Sequence, residues 1–90
     1  MTIDITKIGS FYDFDYELRN ESADLNNDNE FAFFFEIAKA TYNYYCNCQY
    51  DATLQERSRA ALRLHDAFSD LCKYLKFNAS EIEALERKIF

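Results

Sequence analysis

From Glu30 to Cys48 the chain reads Glu-Phe-Ala-Phe-Phe-Phe-Glu-Ile-Ala-Lys-Ala-Thr-Tyr-Asn-Tyr-Tyr-Cys-Asn-Cys, and the polar members Glu36, Lys39, Asn43 and Asn47 fall three or four residues apart. On an α-helix that spacing gathers them into one narrow wet stripe and leaves most of the circumference apolar. The pattern predicts a helix over 30–48, with Asp28 or Asn29 as its N-cap. A helix this apolar belongs in the middle of a bundle. The other reading is a helix that is half core and half binding face, with Tyr42, Tyr44 and Tyr45 outside.

Gln49-Tyr50-Asp51 reads as a turn, after which Asp51 or the box Thr53-x-x-Glu56 opens a long helix over about 52–76. Leu54, Arg57, Ala61, Leu64, Phe68, Leu71 and Leu75 recur at three and four residues, the spacing of an antiparallel bundle seam, with Arg57 as the one charged member. Arg59, Arg63, Asp66, Asp70 and Lys73 read as its solvated face. Phe77-Asn78 breaks the pattern, and Ser80-x-x-Glu83 is expected to cap a final helix over 80–89 whose inward face is Ile82, Leu85 and Ile89.

Toward the beginning the signals are weaker. Residues 1–9 alternate slightly, with Ile3 and Ile5 on one side, as a short edge strand or an extended lead-in would. Ser10 is placed to cap a helix over about 11–19, with Asp13 in its first turn, where the helix dipole favours negative charge. From Asn20 to Asn29 the chain is polar and rich in turn formers, so a loop anchored by Leu25 is expected. Proline is absent and glycine occurs once, at Gly9, which removes the usual punctuation of hairpins and favours helices. The fold class expected is all-α, a bundle of three to four helices in one domain over 1–90, with an acidic segment and loop at 1–29 and a helical core at 30–90.

Ninety residues with nine Phe, seven Tyr and no Trp hold more rings than so small a domain easily hides, so some should lie at the surface. Charge is distributed unevenly: residues 1–30 carry eight acidic against two basic groups and the remaining sixty balance, so the net charge of −6 belongs entirely to the N-terminal third. Within it, Phe11, Tyr12, Asp13, Phe14, Asp15, Tyr16 and Glu17 alternate rings with carboxylates and read as a docking surface for a basic partner protein, such as one that itself binds nucleic acid. The plain alternative is a solvated helix that keeps a ring-rich protein in solution, and a third reading is imitation of a nucleic-acid backbone, for which the charge is modest. An acidic balance argues against direct binding of nucleic acid. No apolar run is long enough to cross a membrane, and the start lacks the layout of a signal peptide, so a cytoplasmic location is expected.

Candidate chemistry is sparse. Cys46, Cys48, His65 and Cys72 are four ligand types that zinc accepts, but antiparallel pairing of the two long helices would leave His65 roughly 15–20 Å from the turn cysteines at 1.5 Å per residue. Packed free thiols are expected instead, and neither metal nor cofactor. Asp66 cannot orient His65, because neighbours on a helix point apart. With no phosphate loop or nucleophile motif, the chain reads as a non-enzymatic inhibitor of the immunity, anti-restriction or anti-CRISPR type, by profile and not by any family motif. Two alternatives stand beside it: a small-ligand sequestering protein with a nucleotide stacked on its rings, and a homo-oligomer built through the Tyr-rich face.

Overall fold

Each helix begins where a side-chain oxygen accepts the backbone N–H three residues on: Ser10 from Asp13 at 3.2 Å, Asp28 from Phe31 at 3.0 Å, Thr53 from Glu56 at 3.2 Å and Asn78 from Glu81 at 2.9 Å. The computed structural model describes residues 3–90, and these caps open its four helices, α1 (Phe11–Glu21), α2 (Asn29–Asp51), α3 (Leu54–Tyr74) and α4 (Ala79–Ile89). There is no strand among the described residues, and the fold is the expected all-α bundle. Two short 3₁₀ turns, Ile5–Lys7 and Ala23–Asn27, precede α1 and α2. The short edge strand or extended lead-in expected over 1–9 falls partly on residues 1 and 2, outside the described residues; over 3–9 there is no strand, and Asp4 and Ile8 are extended on either side of the 3₁₀ turn Ile5–Lys7. The expected loop after residue 20 is shorter than the sequence suggested, because α1 continues to Glu21 and Leu25 holds the second turn against the core.

The last helix is capped by Asn78, two residues before Ser80, and starts at Ala79 where 80 was expected. Lys76 adopts a left-handed backbone, φ 69°, and ends α3 with Phe77 N–H donating to the Cys72 carbonyl and Lys76 N–H to that of Lys73. This is a Schellman closure with an apolar residue, the buried Phe77, immediately after it. The chain then leaves Asn78 extended and ready to cap, and the reciprocal bond from Asn78 N–H to Glu81 Oε1 at 3.0 Å completes the capping box.

α2 and α3 form an antiparallel hairpin, its base tied where the Tyr74 hydroxyl donates to Asp28 Oδ2 at 2.6 Å and Phe34 packs on Tyr74 with centroids 5.3 Å apart. α1 runs back along α2, with Phe11 stacked on Tyr42 at 5.2 Å and the Arg19 guanidinium 5.3 Å from the Phe35 ring. α4 runs back along α3 and ends with Phe90 5.3 Å from Phe68. Phe11, Phe14 and Leu18 of α1, Phe31, Phe35 and Ala38 of α2, Phe68, Leu71 and Cys72 of α3, and Ile82, Leu85 and Ile89 of α4 make one core. Burying each large member removes apolar surface worth about 1.5–3 kcal/mol.

Two expectations about the long helices are corrected. α2 is not enclosed: Phe31, Phe35, Ala38 and Cys48 are its buried residues, while Phe33, Ile37 and Tyr44 are exposed, so it is half core and half open face. The seam of α3 holds at Leu64, Phe68, Leu71 and Leu75 and fails at Leu54, Arg57 and Ala61, which are exposed. On α2 the reason is that α1 packs on one side only, the side of Phe31, Phe35 and Tyr42, and leaves Phe33 and Ile37 open. On α3 it is length: α1 reaches only the level of Tyr42 and α4 only that of Tyr45, and the hairpin beyond them is held by the small buried residues Cys48 and Ala60.

Candidate functional site

The turn of 3.6 residues sorts the acidic segment into two faces. Phe11, Phe14 and Leu18 point inward and are buried, while Tyr12 and Tyr16, one turn apart, are 63% and 66% exposed. Phe11 and Phe14 therefore do not serve as anchors for a partner: Phe14 lies against Phe68 at 5.2 Å and Phe77 at 6.5 Å, and Phe11 against Phe35 at 5.3 Å. The carboxylates sort as well. Asp15 is occupied, accepting from Arg19 Nε at 2.6 Å, and Asp13 accepts the Gly9 N–H at 3.0 Å while keeping its side chain at the surface. The outer face thus gathers Tyr12, Asp13, Tyr16 and the half-buried Glu17.

Arg19 makes that face rigid, and sequence reasoning missed it. Its guanidinium bonds Asp15, donates to Asn26 Oδ1 at 2.7 Å, and sits 5.5 Å and 5.3 Å from the Phe31 and Phe35 ring centroids. One side chain so joins α1, the turn after it and α2. The available signal was Asp15 four residues before Arg19, which is an i,i+4 pair.

Of the tyrosines expected outside on α2, Tyr44 is exposed, whereas Tyr42 and Tyr45 are half-buried, Tyr42 under Phe11 and Tyr45 beside Phe90 at 6.5 Å. Burial, then the Cys46 thiol beside it, pushes the Tyr42 hydroxyl above its usual range. Tyr44 is raised first by the Cys48 thiol, and feels Glu56 and Arg63 across the hairpin. Tyr44 lies on a different side of α2 from α1, so the structure does not join it to the acidic face.

A second feature lies between α3 and α4, where an open groove of about 330 Å³ is lined by His65, Ser69, Lys73, Ile82, Glu83 and Glu86 among others. His65 Nδ1 lies 2.8 Å from Glu86 Oε1, which is shut off from water and has no aligned hydrogen bond, so their pairing is by charge when the imidazole is protonated. The tertiary partner for His65 that the sequence did not reveal is therefore Glu86, twenty-one positions away. No Phe or Tyr ring lines this groove for a base to stack on. Cys72, behind it, is buried among core residues, and burial, with the Glu86 charge added, pushes its thiol well above the usual range. All three cysteines are free thiols, and among the described residues no three His, Cys, Asp or Glu side chains come close enough to share a metal ion. No helix among them is long and apolar enough to cross a membrane.

No family model, curated protein or solved structure matches this chain.

Proposed function

We propose that this protein acts by binding another protein, as a small non-enzymatic inhibitor of the immunity, anti-restriction or anti-CRISPR kind that occupies a basic site on its partner in the cytoplasm. The observation that carries the reading is the outer face of α1. There Tyr12 and Tyr16 stand two-thirds exposed beside Asp13 and Glu17, on a helix fixed from behind by three buried residues and by Arg19. Rings of this kind supply contact area at low entropic cost, and the carboxylates steer them toward Lys and Arg. The whole negative balance of the chain, −6, sits in the same third of the sequence. A rigid, acidic, ring-bearing helix face is what a basic cleft built to hold phosphates would accept.

The test is capture of the partner from host lysate at low and moderate salt, comparing the wild type with Tyr12→Ala/Tyr16→Ala and with Glu17→Gln. Asp15 is left alone because it is bound to Arg19. A basic protein held by the wild type, weakened by salt and lost with the tyrosine pair supports the reading. Equal capture by wild type and both variants removes α1 as the site.

A further inference from the structure

α2 and α3 each carry an exposed stripe at the same helical spacing, and the two stripes lie side by side. On α2 it is Phe33, Ile37, Ala40 and Tyr44, steps of four, three and four; on α3 it is Arg59, Arg63, Asp66 and Asp70, the same steps. All eight residues are exposed, with Phe33 at 63% and Tyr44 at 50%. Phe34 meets Tyr74 and Tyr74 meets Asp28 at the seam between the two helices, and by helical spacing both rows lie beyond that seam, on the side away from Phe35 and Tyr42, so they share one face of the hairpin. That face is turned away from α1, which packs on Phe35 and Tyr42, and from α4, which meets α3 through the His65, Ser69 and Lys73 side. Nothing among the described residues covers it, and none of the four charged residues in the α3 row forms an ion pair within the chain.

The order of charges identifies what fits there. Read along α3 the row is plus, plus, minus, minus, and a row of that order complements itself when a second copy lies antiparallel. A two-fold axis crossing α3 midway between Arg63 and Asp66 brings each Arg63 to Asp66 of the second copy and each Arg59 to Asp70. The hairpin turns at Ala52 and Thr53, so by equal rise along both helices the same axis crosses α2 beside Ala40. There the small Ala40 of each copy meets its counterpart, and Ile37 falls against Tyr44 of the other on either side. The symmetry that pairs the charges therefore also pairs Ile37, Ala40 and Tyr44 of the apolar row, while Phe33 falls beyond Tyr44, level with position 48 of the second copy. At the outer ends Glu30 comes level with Asp51 of the second copy, and both are exposed to water.

We infer that this hairpin face is a self-complementary interface through which two copies of the chain pair as an antiparallel, two-fold symmetric dimer. Two helices of this length side by side present a face of roughly 700 Å², close to the roughly 800 Å² per partner that stable complexes bury. The dimer leaves both α1 faces on its outside. It does not depend on the acidic face of α1 being a binding site.

The experiment is sedimentation of the full chain across micromolar to submillimolar concentrations, with two charge variants. Arg59→Asp/Arg63→Asp makes the α3 row all acidic, and Asp66→Arg/Asp70→Arg makes it all basic. Both pairs change exposed residues, and circular dichroism checks that each variant remains helical. The expected result is a wild type at twice the 10.7 kDa chain mass, each variant alone at one chain mass, and an equimolar mixture of the two variants restored to the dimer. Ile37→Glu is expected to abolish dimerisation in every case. A wild type that stays at one chain mass throughout overturns the inference. So does a dimer that survives both variants, and a mixture that fails to re-pair overturns the facing of the two α3 rows.

Discussion

Phe14 and Tyr16 stand two residues apart in the same acidic run, yet the helix turns one into the core and the other into water, and replacing each with alanine separates stability from binding. Phe14 is fully buried against Phe11, Phe68 and Phe77, so Phe14→Ala removes a whole ring from where α1 meets α3 and the link to α4, and leaves a cavity that its neighbours fill only in part. Truncations of this kind cost about 3–5 kcal/mol. A chain of ninety residues has a total stability of about 5–13 kcal/mol, so the loss is a large share of it. With an unfolding entropy of about 2.1 cal/mol/K per residue, the melting temperature should fall by roughly 15–25 °C. Tyr16 is 66% exposed and has no core contact to lose, and its replacement should move the melting temperature by only a few degrees. The assay is thermal melting followed by circular dichroism at fixed protein concentration, with Phe14→Leu as a milder variant that stays folded. A Phe14→Ala protein melting within a few degrees of the wild type would refute the placement of this ring, and with it the division of α1 into a core face and a partner face.

At Lys76 a side chain occupies a left-handed backbone position, so Lys76→Gly should stabilise the protein by about 1 kcal/mol, read as a higher denaturation midpoint in urea with an unchanged slope. The tie between Tyr74 and Asp28 has opposite signs at the two ends of the pH scale. The Tyr74 hydroxyl, then the Phe31 N–H, holds Asp28 below the usual carboxylate range, so that stabilisation is present above about pH 4 and is lost as pH falls further. The same bond pushes Tyr74 up to about 12, and its contribution is present below about pH 10 and lost as pH rises toward 12. Melting temperature measured against pH should therefore fall less steeply on the alkaline side for Tyr74→Phe than for the wild type, and identical alkaline slopes would contradict the tie.

Much of this fold is legible in local pattern. Ser10, Asp28 and Thr53 are caps that the sequence announces, and Leu64, Phe68, Leu71, Ile82, Leu85 and Ile89 are core residues that helical spacing predicts. The exposed ends of the hairpin were not legible, because periodicity shows which side of a helix is apolar but not how far its neighbours extend. Leu54 and Ala61 keep the seam spacing while α1 and α4 stop short of them. Phe11 and Phe14 were misplaced for a different reason: rings and carboxylates in alternation look like a mixed surface until the three- and four-residue steps to Leu18 are counted. Glu86 facing His65 has no local signal at all, since the pairing exists only once α4 has folded back along α3.

The protruding end of the hairpin bears on how the molecule opens. Its backbone is helical, but past the level of Tyr45 its buried residues are Cys48 and Ala60, both small, while Tyr50 and Leu54 at the tip are 86% and 75% exposed. Amide protons there are guarded by hydrogen bonds within each helix and by little packing, so they should exchange with solvent through local fraying well before those around Phe14 and Phe68, which wait for the whole core to come apart. The chain thus combines a ring-packed base that opens all at once with a tip that unzips by itself, and a partner or protease meeting the tip would find backbone there that the core does not offer.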